Sequence, residues 1–519
     1  MRFHYRLASF ANNKIDGKLS DRLHSFIKKY LNVGKMAFFC SELELRVAKS
    51  VSWSLLGGIV LKTLSVLTSI ITARMIGKIG YGELGIILST LGVLAVISGM
   101  GLGTSATKYI AELKNSNPDR AAAIVQLTTY LSIVSAAVMS IACFYFSPFI
   151  AENTLGKAEL SSTLAVGSVF LFFTTISAVQ SGTIGGLEAF KQLAFINCIQ
   201  GIFIPLLTIP MVWMYSVNGA VAALAIHSAI SYIILSITTK KQKTLYNIPK
   251  ANIRDALSEW RIIIEFGLPA MLSGLMVVPV TWLTNLILIR QAGGYSELGM
   301  FTAANQWREV VLYLPGILTN AMLPVISSTH GKRDNREFNR AFEINLRSTL
   351  IVALPLSVFA VALNEPLGKL FGKNFFGVEP IIAVLMLASY FNIANAPIGT
   401  ALAGAGCMWI GMLMNLLWGC ILIFLAALWI PKYGAFGLGL AYLIAYLLHT
   451  IYQMIYVEIK IAPKVIRKLW RLISYSLILL SLSFYFNISP TYSFVYSAVL
   501  LFLSSAPLFL AIKKMISNK

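Results

Sequence analysis

The chain has 519 residues, of which 57% are apolar and only 12% charged, with a net charge of +21. Soluble domains carry about 25% charged residues, so this composition excludes an ordinary soluble protein. The basic excess sits between long apolar runs rather than on a contiguous face, which argues against nucleic-acid binding and for a polytopic membrane protein.

Residues 1–50 are polar and basic without an apolar core segment, so they read as a cytosolic extension and not a cleaved signal. Leu23, Phe26, Ile27, Tyr30 and Leu31 give it one amphipathic stretch, for which a surface-lying helix and a disordered basic tail are both open. About fourteen apolar stretches follow, each near the 20 residues that cross a bilayer. They are expected at 53–75, 82–106, 122–147, 161–184, 193–215, 219–238, 262–289, 298–325, 346–364, 379–403, 408–430, 435–457, 470–487 and 492–512. Basic clusters around Lys240–Arg261, Lys332–Arg347 and Lys460–Arg471 follow the sixth, eighth and twelfth spans. Lys and Arg mark cytoplasmic loops, so these clusters require an even span count between them and place both termini in the cytoplasm.

The chain repeats itself. Gly80-Tyr81-Gly82-Glu83-Leu84-Gly85 recurs as Gly294-Tyr295-Ser296-Glu297-Leu298-Gly299 at an offset of 214. Gly186, Asn197, Gly201 and Gly219 match Gly404, Asn415, Gly419 and Gly437 at an offset of 218. Each offset covers six spans, so the repeats enter the membrane in the same direction, a known transporter plan. The expected fold is therefore all-α, with two pseudo-symmetric six-helix lobes. The divisions are a 1–50 extension, a 51–240 lobe, a 241–261 basic linker, a 262–460 lobe and two further helices in 461–519.

Two cations stand deep in their spans. Lys62 in the first and Arg308 in the eighth are each about 14 Å from the span's start at 1.5 Å per residue. Exposure to lipid there costs about 2.5–3.5 kcal/mol, so both are expected to face protein or a wet cavity. Ser54, Gly58, Lys62, Ser65, Ser69 and Thr72 recur at spacings of three and four, drawing one polar stripe. Thr302, Asn305, Arg308 and Glu309 gather within two turns of the eighth span. With one cation from each lobe, a shared cationic chamber for an anionic head group is expected, Arg308 and Lys62 being its substrate-binding residues. Neutralisation of Arg308 by Glu309 for helix packing is the plainer alternative. Arg74 and Arg290, near outer span ends, are weighed equally as substrate-binding residues and as snorkelling or loop-capping ones, with Glu83 and Glu297 as their expected ion partners. Glu309 is the best-placed carboxylate for a coupling ion. His227 and His449 read as packed, hydrogen-bonded residues, and the intramembrane asparagines as interhelical donors. The five cysteines are scattered, and no pattern for ATP, a metal or another cofactor occurs.

Several segments carry a resemblance, those around Gly186 and Gly404 that open the fifth and eleventh helices among them. Ala73-Arg74-Met75-Ile76-Gly77-Lys78-Ile79-Gly80-Tyr81-Gly82 resembles the turn between the first two helices of the Wzx-type oligosaccharide-lipid flippases, although Lys78-Ile79 stands where that family usually has a proline. Gly101-Leu102-Gly103-Thr104-Ser105-Ala106-Thr107-Lys108-Tyr109-Ile110-Ala111-Glu112 is similar to the end of their second helix. The family belongs to the multidrug/oligosaccharidyl-lipid/polysaccharide exporter superfamily, and the resemblance covers about residues 50–460. It implies a non-enzymatic flippase in the bacterial inner membrane that moves an undecaprenyl-diphosphate-linked oligosaccharide to the periplasmic leaflet. Its partners would be the anionic lipid-linked substrate, membrane lipids and glycan polymerase or ligase machinery. It also implies a V-shaped pair of lobes with helices one, two, seven and eight lining the cavity, which includes the helices of Lys62 and Arg308. An organic-cation antiporter of the same superfamily is the nearest alternative, and a membrane glycan polymerase or ligase a remoter one, since all outer loops are short.

Overall fold

The computed structural model describes residues 42–249, 251–331, 335–487 and 499–510. The expected amphipathic stretch of the extension lies outside these residues, as do Lys250, Lys332 and Arg333 of the basic clusters. Among the described residues there are helices and turns and no strand. In chain order the helices are α1 (Glu42–Gly99), α2 (Leu102–Leu113), α3 (Pro118–Phe149), α4 (Leu160–Gly186), α5 (Phe190–Leu245), α6 (Ile253–Ser258), α7 (Leu268–Leu275), α8 (Val278–Ile289), α9 (Gly294–Gly331), α10 (Asn335–Ala362), α11 (Asn364–Lys369), α12 (Glu379–Gly404), α13 (Met408–Lys460) and α14 (Val465–Asn487). A short apolar helix, Val499–Leu510, follows.

Among the described residues, seven helices are long and apolar enough to cross a membrane. Helices α1, α5 and α13 run 58, 56 and 53 residues, far beyond the span of one crossing, and each folds back at a single residue of positive φ. Those residues are Gly77 (φ 70°), Ser216 (φ 53°, ψ −129°) and Gly434 (φ 54°, ψ −132°). Large apolar side chains such as Trp213, Trp409 and Phe502 stay exposed, as lipid-facing residues of a membrane protein do.

The offset of 218 is visible in the backbone. Ser216 and Gly434 are equivalent positions with the same dihedral angles, those of the first central residue of a type II′ turn. Three residues later, a Cβ on Gly219 would strike the Met211 carbonyl, and one on Gly437 the Trp429 carbonyl. Met211 and Trp429 are themselves 218 apart. A tight fold-back admits no side chain there, which is why both copies carry glycine. Helices α1–α5 pack mainly on one another, as do α9, α10, α12 and α13, while α14 lies against α10 at the margin.

Two expected spans are broken. The second ends at Gly99, because Met100 (φ 45°) and Gly101 (φ 65°) turn the chain before α2 begins. The seventh, read as one helix over 262–289, is a π turn (Ile263–Gly267) followed by α7 and α8. The gap at Met276–Val277 precedes Pro279, whose missing N–H is harmless only in the first turn of a new helix. Both pieces lie against α1, Gly274 of α7 on Val96, while Gly267 of the π turn packs on Met100 and α8 also lies against α13.

Candidate functional site

The two intramembrane cations are brought together across the molecule. The arm of α1 before Gly77 runs antiparallel to α9, and the two touch where Gly58, lacking a side chain, receives the Tyr313 hydroxyl. One turn away on each helix, Lys62 Nζ lies 3.8 Å from Glu309 Oε2. The other carboxylate oxygen of Glu309 lies 3.5 Å from Arg308 Nη1. One carboxylate thus stands between two cations from different halves, leaving the trio a formal charge of +1.

The three side chains are not equally open. Glu309 is 46% exposed, Lys62 26% and Arg308 11%. Arg308 points back into its own half, where Nη1 donates to Asn305 Oδ1 at 3.2 Å and Nη2 to the Tyr446 hydroxyl at 3.1 Å. Its guanidinium carbon lies 5.7 Å from the centroids of both the Tyr442 and Tyr446 rings, a cation–π arrangement. Arg308 Nε is buried without a hydrogen-bond partner. The tyrosines were not singled out by sequence, though their spacing of four places them on one face of α13. The polar stripe of the first span also divides. Gly58 and Lys62 face α9, whereas Ser69 bonds the Tyr81 hydroxyl and Thr72 is buried.

Arg74 and Arg290 lie elsewhere. Arg74 is twelve residues beyond Lys62, about 18 Å along the helix. Its Nε donates to the Leu370 carbonyl at 2.6 Å, beside a cavity of about 1040 Å³ that Lys373, Asn374 and Phe376 also line. Arg290 Nη2 donates to the carbonyls of Asn153 at 2.9 Å and Thr154 at 3.1 Å. Neither arginine meets its expected glutamate. Glu83 pairs with Lys157, and this hydrogen bond raises the Lys157 pKa above its ordinary value. Glu297 Oε2 accepts the Ala435 N–H at 2.8 Å and so braces the Gly434 turn. A backbone N–H and a loop lysine are nearer than the arginines, whose long side chains reach across to the other half.

Other intramembrane polar groups join helices. Asn285 donates to Ser89 Oγ at 3.2 Å, Trp282 to Thr90 Oγ1 at 3.0 Å, and Thr450 to Asn395 Oδ1 at 2.9 Å. His449 is buried against Trp418 and hydrogen-bonded to Gln453, a packing role. Among the described residues, no group of three or more His, Cys, Asp or Glu side chains could hold a metal ion.

The family described as polysaccharide biosynthesis protein matches residues 47–330. The chain is 24% identical over 380 residues to the EPS I polysaccharide export inner membrane protein EpsE of Ralstonia nicotianae (strain ATCC BAA-1114 / GMI1000), covering 70% of this chain and 83% of that protein. It is 23% identical over 421 residues to stage V sporulation protein B of Bacillus subtilis (strain 168), covering 76% and 80%. In fold it is similar to the lipid II flippase MurJ in an inward closed conformation, with a TM-score of 0.68 at 14% identity over 89% of this chain and 99% of that one. An inward-facing MATE family multidrug resistance transporter of the MOP superfamily gives 0.63 at 15% identity, over 78% and 98%.

Proposed function

Starting from a chain that belongs to the polysaccharide biosynthesis protein family, we propose that it is a flippase for an undecaprenyl-diphosphate-linked oligosaccharide. It moves this lipid from the cytoplasmic to the periplasmic leaflet of the inner membrane by alternating access. Polysaccharide export of this type is supported by the resemblance to EpsE and by the fold shared with MurJ. In this reading the chain crosses the membrane fourteen times with both termini inside, and lobes 51–240 and 262–460 rock against each other. Glycan polymerase or ligase machinery would then act on the delivered product.

The observation that carries the mechanism is the meeting of Lys62, Glu309 and Arg308 between the halves. A diphosphate linker brings about two negative charges into a medium where an unpaired charge is costly. Lys62 and Arg308 supply the compensating charge, and Glu309 holds their place when no substrate is bound. An arriving diphosphate competes with Glu309 for Lys62, so binding dissolves the one ion pair that joins α1 to α9 among the described residues. Neutralising the displaced Glu309 with a proton or sodium ion would link translocation to an ion gradient. Glu309 is also the group an organic-cation antiporter would use, and it is the most open of the three.

The test is made in cells lacking the gene, scoring surface glycan and lipid-linked intermediate with wild type, Lys62→Ala, Arg308→Ala and Arg308→Lys at matched expression. Loss of glycan with accumulated intermediate in the alanine variants, partly restored by Arg308→Lys, is the expected result. Normal glycan in every variant would refute the site. Unchanged glycan with new sensitivity to cationic drugs in the deletion would transfer the assignment to antiport.

A further inference from the structure

Arg74 and Arg290 make corresponding bonds in opposite directions, Arg74 through Nε to one carbonyl and Arg290 through Nη2 to Thr154 and its neighbour Asn153. Arg74 belongs to the first half and donates to Leu370 of the second, while Arg290 belongs to the second and donates to Thr154 of the first. The two arginines are 216 residues apart, and so are the two acceptors. The acceptors also share a local build. Thr154 lies in the last turn of the π helix Ile150–Leu155, and Leu370 caps α11. Each is followed by a buried apolar residue (Leu155, Phe371), a glycine of positive φ (Gly156 at 74°, Gly372 at 94°) and a lysine (Lys157, Lys373). The glycine stops the helix, which leaves terminal carbonyls without intrahelical donors and with partial negative charge. The buried residue anchors the stop, and a guanidinium from the other half satisfies the carbonyl.

At the same end the repeated hexapeptides lie against each other, with no room for a Cβ on Gly82 against the Tyr295 carbonyl or on Gly299 against the Lys78 carbonyl. We propose that Arg74 and Arg290 are a matched pair of gate latches, which hold the halves together at this end and must both release before it opens. This rests on the alternating-access reading above. Two equivalent latches make the closed state symmetric about the axis relating the halves, and neither bond needs a particular acceptor side chain. Among the described residues neither arginine forms an ion pair, Glu365 and Glu379 lining the cavity beside Arg74 without reaching it, so an anion emerging between the halves can draw them off.

The test reads the gate directly. Spin labels go at Met214→Cys and Lys432→Cys, exposed positions 218 apart that each precede a fold-back turn by two residues, in a chain whose five native cysteines are replaced. Distances are measured by double electron–electron resonance in lipid nanodiscs without substrate. Arg74→Gln and Arg290→Gln are each expected to weaken the short-distance population about tenfold relative to the open one, and the double variant about a hundredfold. The double lysine variant, which keeps on each side a cationic donor with more reach than the glutamine amide, should return much of the short distance and thereby excludes misfolding as the cause. An unchanged distribution in the double glutamine variant would overturn the proposal. Since no glycan enters the measurement, an opened gate in a protein that moves no lipid-linked glycan would still support the latch and count against the transport reading alone.

Discussion

Lys62 and Glu309 form an ion pair at 3.8 Å between α1 and α9, one turn from the point where Gly58 admits Tyr313. A pair that only held helices together would tolerate exchange of its two charges. If Lys62 also meets the diphosphate, the Lys62→Glu/Glu309→Lys protein should reach wild-type abundance in the membrane yet export at least tenfold less glycan. Immunoblotting of membranes beside a glycan assay checks both halves of this expectation, and full export by the swapped protein would reduce the pair to a structural contact.

Arg308 is held by a fork rather than by charge alone, with Nη1 on Asn305 and Nη2 on Tyr446. Lysine cannot reproduce two divergent donors, so Arg308→Lys should retain only part of the activity. Tyr446→Phe removes one hydrogen bond and keeps the ring, for a loss of about 1–2 kcal/mol. Arg308→Ala leaves the Tyr446 hydroxyl and a void behind it, and should lower the thermal midpoint more than Tyr446→Phe. Thermal unfolding in detergent gives the order, and equal midpoints for the two variants would contradict the packing described.

Ser216 occupies a turn position that its copy fills with Gly434. At φ 53° a side chain is strained by about 1–3 kcal/mol, so Ser216→Gly should stabilise the protein, offset in part by the added freedom of the unfolded chain. The net gain expected is about 1 kcal/mol. Gly434→Ser should destabilise more than this gain, because its Cβ would press on the Glu297 carboxylate that braces the turn. Unfolding midpoints of the two variants measured side by side decide the matter.

Gly82 and Gly299 sit where the two copies of the hexapeptide cross, each against a carbonyl of the other half. Gly82→Val should push this crossing apart and deplete the state described here, with a longer Met214–Lys432 label distance as the readout. Gly156→Ala makes a useful contrast. It has open space around it and suffers only from its positive φ, so it should cost local stability without parting the helices.

Much of this was legible in the sequence, for identifiable reasons. Hydropathy locates spans because the bilayer demands a run of fixed length, and the fold-backs at Ser216 and Gly434 fall between expected spans. The glycines at 219 and 437 repeat because a tight turn needs them twice. Lys62, Arg308 and Glu309 stand out as charges at depth, and the structure brings them to one place. The direction in which Arg308 points was not legible, since Tyr446 lies 138 residues away and phenols carry no pairing signal. The acceptors of Arg74 and Arg290 were hidden more completely, because every residue has a carbonyl. A trace existed in Gly156-Lys157 and Gly372-Lys373, two residues beyond each acceptor and 216 apart. The break before Val278 was signalled by Pro279, but hydropathy alone runs through it.

Transport itself is tested most directly with purified protein in liposomes that contain lipid-linked oligosaccharide extracted from cells lacking the gene. Glycan exposed on the outer face is oxidised by periodate, which does not cross the bilayer, so translocation appears as growth or loss of the protected fraction. Wild-type protein should let all of the glycan become oxidised within minutes, whereas empty liposomes and Lys62→Ala liposomes should keep about half of it protected, the inner-leaflet share of a bilayer. A protected fraction that wild-type protein leaves unchanged, with or without an ion gradient, would contradict the flippase assignment.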